Sequence, residues 1–144
     1  MKIIIKEPQK GEEDSVIISV KAMTESIIQA INILKSPDSL TVYADEQAFR
    51  LPTADIYYAE SVDLKTFVYT EKNLYRSKLK LYELEELLSS GDFLRISKQN
   101  IVNVKKIRSV ATAGGGRFQA TLLNKEKLII SRQYVPLLKE RFGL

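Results

Sequence analysis

The chain of 144 residues contains no cysteine, no histidine and no tryptophan. Without cysteine there is neither disulfide nor thiolate chemistry, which suits a reducing compartment. Without histidine, a hydrolase triad with an imidazole base is impossible and the usual His-rich zinc and iron sites are excluded. No apolar run approaches the roughly 20 residues of a membrane span, and Met1-Lys2-Ile3-Ile4-Ile5-Lys6 is too short for a signal h-region. These absences predict a soluble cytoplasmic protein with no membrane insertion and no cofactor. The triplet Gly114-Gly115-Gly116 is followed by Arg117-Phe118 where a phosphate loop needs Lys-Ser/Thr, so it reads as a turn between strands. Glu83, Glu85 and Glu86 fall on a strongly helical stretch and read as a solvated face. No catalytic set assembles, and the expectation is that the protein is not an enzyme.

What the chain does have is charge of opposite sign in its two parts. From Arg95 to Leu144 there are eleven Lys or Arg against two acids, Glu126 and Glu140, a net of +9, whereas residues 1–94 carry eleven bases against sixteen acids, a net of −5. A surface of one sign attracts a polyanion, and nucleic acid is the commonest one in a cell. The basic stretch is not a tail. Ile96, Ile101, Val102, Val104, Ile107 and Val110 thread apolar residues through it, which places the charges on a folded scaffold.

Along the chain, Ile3 to Ile5 and the alternating Val16, Ile18 and Val20 read as strands flanking the polar turn Pro8 to Asp14. Met23, Ile27, Ile28, Ile31 and Leu34 fall on one helical face, ended by Ser36-Pro37-Asp38. This ββα piece, residues 1–37, is too small for a core of its own and is expected to pack on the remainder or pair across a two-fold. Residues 38–144 form the second unit. Leu40–Ala44 and Ala48–Leu51 read as a hairpin around Asp45-Glu46. Ile56–Ser61 and Thr66–Thr70 read as another around Val62 to Lys65, with Asn73–Arg76 following. Leu81, Leu84, Leu87 and Leu88 make a helical stripe with Gly91 beyond it. Phe93–Ile96, Ile107–Ala111, Phe118–Leu123 and Leu128–Ile130 read as strands. A last short helix carries Tyr134, Leu137, Leu138 and Phe142 on one face, with Pro136 in its first turn. The fold class is mainly β (α+β): a β-sandwich of short strands with small helices, preceded by the ββα element.

Several segments in register carry a resemblance. Ile56-Tyr57-Tyr58-Ala59-Glu60-Ser61 resembles an "I-x-Y-x-E" strand, and Leu81 to Leu88 an "L-x-x-L-E-x-x-L" helix. Phe93-Leu94-Arg95-Ile96-Ser97-Lys98 with Ile101-Val102-Asn103 resembles an "F-x-R-x-H-(K/R)-(S/N)-x-x-V-N" block, and Ile130-Ser131-Arg132-Gln133-Tyr134 a "V-S-R-x-Y" ending. Together they make residues 40 to 142 similar to a LytTR DNA-binding domain. The resemblance implies an elongated β-sandwich that grips double-stranded DNA with loops in successive major grooves, without a recognition helix. It also implies a transcription regulator that reads paired direct repeats as a homodimer. Carried onto this chain, the DNA-binding loops correspond to Lys65 and Thr66, to Ser97 and Lys98, and to Arg132. Two departures stand out. Ser97 stands where the family often has His and Lys98 where it often has another polar group, and only some 37 residues precede the region where a response regulator has its receiver domain. The expectation is a stand-alone regulator, not controlled by aspartyl phosphorylation on its own chain, with a regulatory protein partner a further possibility.

The residue chemistry agrees. An Arg fork spans O6 and N7 of guanine, and a Lys reaches the same edge as a point charge. Ser97, Thr66 and Gln99 carry short polar groups suited to phosphate oxygens or to either base type. Arg95, Lys105, Lys106 and Arg108 would add grip independent of sequence. Arg95 has a second reading, as a brace for the loop beside it, and Arg132 one as a surface ion pair. For Lys105 and Lys106 ordinary solvation is the alternative. Asn103 reads as structural, since Asn tolerates a left-handed backbone and bonds its own turn. The stripe from Met23 to Leu34 reads either as core or as a dimer contact. Two other functions compete: an RNA-binding protein using Tyr57, Tyr58, Phe67 and Tyr69 as stacking platforms, and an anti-regulator that kept the fold without DNA binding.

Overall fold

The computed structural model describes residues 1–35, 37–89 and 91–144. Helix α1 (Glu25–Lys35) comes first, then the hairpin β1 (Ser39–Ala44) and β2 (Gln47–Pro52) and the meander β3 (Tyr58–Val62), β4 (Lys65–Tyr69) and β5 (Leu74–Ser77). Helix α2 (Leu81–Leu88) leads into β6 (Phe93–Arg95) and β7 (Asn100–Asn103). A second meander, β8 (Ile107–Thr112), β9 (Phe118–Leu122) and β10 (Lys127–Ile130), precedes helix α3 (Val135–Phe142). Single 3-10 turns sit at Thr53–Asp55, Val104–Lys106 and Arg132–Tyr134.

The strands form a seven-stranded sheet in the order β2-β1-β5-β4-β3-β7-β6 and a three-stranded sheet in the order β10-β9-β8. Neighbouring strands run antiparallel, so the period-two alternation of each strand divides its residues between two faces. On one face of the large sheet, Ala59, Val68 and Ile101 pack with Leu81, Leu84 and Leu88 of α2. On the other, Tyr58 and Val102 pack with Ala120, Leu122 and Ile130 of the small sheet and with Val135 and Leu138 of α3. The architecture is the expected mainly β one, with the large sheet held between α2 and the small sheet. Tyr58 and Tyr69, directly opposite in the register, stack with ring centroids 4.3 Å apart.

Local chemistry explains the boundaries. Asp45 and Glu46, and again Asp63 and Leu64, take left-handed φ values of 49°, 63°, 50° and 64°. Both turns are thus two-residue links of the I′ hand that matches strand twist. The second hairpin is tighter than the expected Val62 to Lys65 turn, because Val62 and Lys65 pair with each other. The start of α2 is closed by the Glu83 carboxylate, which accepts from the Lys80 N–H at 3.0 Å, and Gly91 N–H donates to Leu88 O just past its end. In α3, Pro136 lies in the first turn, and Gly143, at φ 69°, supplies the left-handed C-terminal residue. Leu87 and Leu137, assigned to buried stripes by periodicity, point outward at 41% and 47% exposure.

The N-terminal region departs from expectation. The polar turn is present, with Glu12 N–H bonded to Gln9 O and Gly11 at φ +91°. The flanking segments, however, are not strands: Ile3 to Ile5 are 64–93% exposed, and Val16, Ile17, Ile18 and Val20 are 38–87% exposed. A β segment needs a hydrogen-bonding neighbour, and neither the other segment nor an edge of the large sheet supplies one. The helix is present as α1, opened by Thr24, whose hydroxyl accepts from Ile27 N–H at 3.4 Å. Its stripe is not core, since Met23, Ile28 and Leu34 are exposed and Ile27 and Ile31 half-buried. Pro37 and Asp38 follow the helix, and Ser36, expected to help end it, lies outside the described residues.

Candidate nucleic-acid interface

Strand direction decides which loops meet. β3 runs toward Val62, and β7 begins at Asn100 opposite Glu60, so the β3–β4 tip and the β6–β7 loop share one end of the large sheet. In the small sheet Phe118 pairs with both Thr112 and Ile130, which brings the 113–117 loop and the segment after Ile130 to a common end. Two backbone bonds join these pieces: Ser61 N–H donates to Gln99 O, and Ser131 N–H donates to Ile96 O, each at 2.8 Å. The three segments assigned to DNA binding are thereby one continuous edge.

Within that edge the expected residues divide by role. Arg95 turns inward: Nε donates to Ser97 O at 2.6 Å, one terminal nitrogen to Lys98 O at 2.5 Å and the other to Glu85 Oε2 at 3.0 Å. Its guanidinium is a brace that fixes the 97–98 backbone, and its side chain is only 20% exposed. Ser97, at 9% exposure, accepts from Gln99 N–H and donates to Asn100 Oδ1, both at 3.2 Å. Asn100 in turn donates to Glu60 Oε2 at 3.1 Å, tying the loop to β3. Thr66 is 4% exposed, because it shares its side of β4 with the core residue Val68. Arg95, Ser97 and Thr66 therefore hold the shape of the edge. Lys65, Lys98, Gln99 and Arg132 stand exposed on it.

Arg132 has a seat that the sequence did not announce. Gly116, at φ +77°, lies so close that an added Cβ would stand 2.7 Å from Arg132 Cδ and 2.9 Å from its Cγ. The glycine of the 113–117 turn thus lets the arginine stem cross that turn, leaving the guanidinium at the rim. Arg117 adds a cation at the same end, folded back so that Nε donates to Gly114 O at 3.3 Å. The glycine triplet followed by an arginine was the available signal.

The opposite end of the strands is also basic but differently arranged. Lys105 pairs with Asp92 at 3.3 Å, and the Lys106 ammonium lies 5.3 Å from the centre of the Tyr57 ring. Both belong to the 3-10 turn after β7, a strand length away from Lys98, and Arg108 follows at the start of β8. The expected grip from Lys105, Lys106 and Arg108 is therefore not brought together with the edge. Asn103 is structural, as expected, but through its side chain and not through a left-handed backbone. Its φ is −80°, its amide donates to Ile56 O at 2.9 Å, and its carbonyl accepts from Lys105 N–H at 3.1 Å. Tyr57 and Tyr58, weighed as stacking platforms for RNA, are core residues at 7% and 8% exposure.

The family model described as LytTr DNA-binding domain matches residues 46–143. The chain belongs to that family. A solved LytTr DNA-binding domain from Bacillus cereus superposes with a TM-score of 0.71 at 26% identity, covering 76% of this chain and 100% of the other. An uncharacterized HTH-type transcriptional regulator of Staphylococcus aureus (strain NCTC 8325 / PS 47) is 30% identical over 120 residues, 83% of this chain and 81% of the relative. Its counterpart in strain MRSA252 is 29% identical over the same span. Among the described residues no helix-turn-helix matches the "HTH-type" of those names. Helices α1 and α2 are separated by β1 to β5, and α2 and α3 by β6 to β10, so no two described helices follow one another. The match also covers the four quoted segments, from the β3 strand to the Ser131-Arg132 turn.

Proposed function

We propose that this LytTr protein is a transcription regulator that binds double-stranded DNA through the edge carrying Lys65, Lys98, Gln99 and Arg132, with its loops entering successive major grooves. The observation that carries the reading is the division of labour at that edge. Arg95, Ser97 and Asn100 are consumed in shaping the loop, while the exposed Lys65, Lys98 and Arg132 form no ion pair among the described residues. A preformed rim of unpaired donors suits base edges and phosphates, because little ordering is left to do on binding. Arg132, with its stem laid over Gly116, is assigned to a guanine edge, and Lys98 to a base edge beside it.

Residues 1–37 we assign to self-association or regulation. The support is their exposed apolar side chains, including Ile3, Ile5, Ile17 and Leu34. Two copies so joined fit a pair of direct repeats, and the site of action is the cytoplasm, where duplex DNA is available. No cofactor enters the mechanism, which is binding alone.

The test is Arg132→Ala on a duplex selected from a random pool and on unselected duplex, at one fixed salt. The expected result is a loss of roughly 1–3 kcal/mol on the selected sequence with little change on the other. Equal binding of the selected duplex by parent and variant would remove Arg132 from base reading.

A further inference from the structure

Beside the edge lies a groove of about 510 Å³ between the β3–β4 tip, the end of β5 and the start of α2. Its walls carry Lys65, Arg76, Lys78 and Lys80, all exposed, against a single acid, Glu83. Glu83 is already engaged, since its carboxylate holds the Lys80 N–H. Among the described residues none of the four cations has an ion-pair partner. This is notable in a region where acids outnumber bases, residues 1–94 having sixteen of the first and eleven of the second. The Lys78 ammonium is held 4.4 Å from the centre of the Tyr43 ring, a cation–π contact that fixes it at the groove wall without neutralising it. The floor is polar: Thr66 and Ser77, paired across β4 and β5, are 4% and 6% exposed.

We propose that this groove binds the sugar-phosphate backbone of duplex DNA flanking the bases read by the loops, so that the DNA footprint extends to Arg76, Lys78 and Lys80. The inference rests on the DNA-binding reading above and adds a contact surface that neither the four motif segments nor the basic C-terminal stretch contains. The geometry points to backbone and not to bases. β5 is three strand spacings from β7, or about 14 Å from the Lys98 loop. That exceeds the roughly 12 Å width of a major groove, so β5 lies beyond the bases that Lys98 would reach and its cations suit the flanking backbone. The occupant is a polyanion in preference to a small anion because the cations line an open trough continuous with Lys65 at the interface.

The experiment uses the full chain and its Lys78→Gln/Lys80→Gln variant, titrated by fluorescence anisotropy with a selected duplex and with that duplex shortened on the groove side. For the variant, the slope of log affinity against log salt is expected to fall by about 1.8, two phosphate contacts at about 0.9 each. Shortening the duplex is expected to weaken the parent and leave the variant unaffected. A Lys78→Arg/Lys80→Arg variant should keep the parent slope, and matching thermal melts for all three show that folding is intact. If the parent binds DNA steeply with salt while the Gln variant shows the same slope and the same loss on shortening, the groove is not a DNA contact and only this inference falls. If inorganic pyrophosphate or a nucleoside triphosphate binds the parent and not the variant, and DNA binding is equal in both, the trough is a small-anion site and the inference is overturned. If the parent binds no duplex at all, the proposed function falls with it.

Discussion

Both ends of the strands are basic, yet the cations named at each are held differently. At the end carrying Lys65, Lys98 and Arg132, the inward-facing polar groups shape loops and leave the outer charges unpaired. At the other end Lys105 is paired with Asp92 and Lys106 lies over Tyr57. Lys105, held in an ion pair, has less to gain from a phosphate than a free cation, so net charge along the sequence is not by itself a map of the proposed binding surface. The useful quantity is the number of unpaired cations beside loops held rigid: the proposed edge has Lys65, Lys98 and Arg132 next to the Arg95 brace, while the other end keeps Arg108, Lys125 and Lys127 exposed away from it.

The largest effect is expected from Arg95→Ala, which removes the brace that creates the rim. It deletes three donated bonds to Ser97 O, Lys98 O and Glu85, from a side chain that is mostly buried. The expected loss is roughly 2–3 kcal/mol in denaturant stability, together with weaker binding to every duplex. Full stability with selective loss of the selected sequence would instead make Arg95 a base reader.

Gly116→Ala comes next. Its new Cβ would meet Arg132 Cδ at 2.7 Å in a backbone at φ +77°. The expected outcome is a destabilisation of about 1 kcal/mol, and a fall in affinity for the selected duplex smaller than that of Arg132→Ala. Unchanged affinity would show that the seat does not direct Arg132.

The smallest effect concerns pH and belongs to the other end. Burial first, and the Glu126 carboxylate second, raise the Tyr58 hydroxyl above its ordinary 10.0. Burial and Glu60 raise Tyr69 in the same direction. The neutral phenols are favoured in the folded state, so their contribution is whole below about pH 10 and declines above it, as the unfolded chain ionises first. Thermal melts should be level through neutral pH, where no histidine titrates, and fall only on the alkaline side. A midpoint that drops already at neutral pH would contradict this.

What was legible in the sequence is what is local. The two hairpins and the second meander follow from apolar alternation on either side of short polar turns, and α2 from its leucine spacing. What was not legible depends on partners far along the chain. Val16, Ile18 and Val20 have strand composition, but composition does not supply a neighbouring strand, and none is found for them. Conversely β7, hidden inside the Ile101-Val102-Asn103 motif, becomes a strand because β3 and β6 flank it. At the proposed interface the motif placed the loops but not the side of each residue. Thr66 is in phase with Val68, and that parity, visible in the sequence, put it in the core. The inward turn of Arg95 depends on loop carbonyls and on Glu85, ten residues away, which spacing alone does not reveal.

The contrast between the two ends is tested most directly by two double variants, Lys98→Gln/Arg132→Gln and Lys105→Gln/Lys106→Gln, titrated against one duplex across a salt series. Each removes the same formal charge from the same basic stretch, so only position separates them. The expected result is a slope lower by about 1.8 for the first pair and a parental slope for the second. Equal slopes for the two pairs, or a loss confined to Lys105 and Lys106, would contradict the assignment of DNA binding to the Lys65, Lys98 and Arg132 edge.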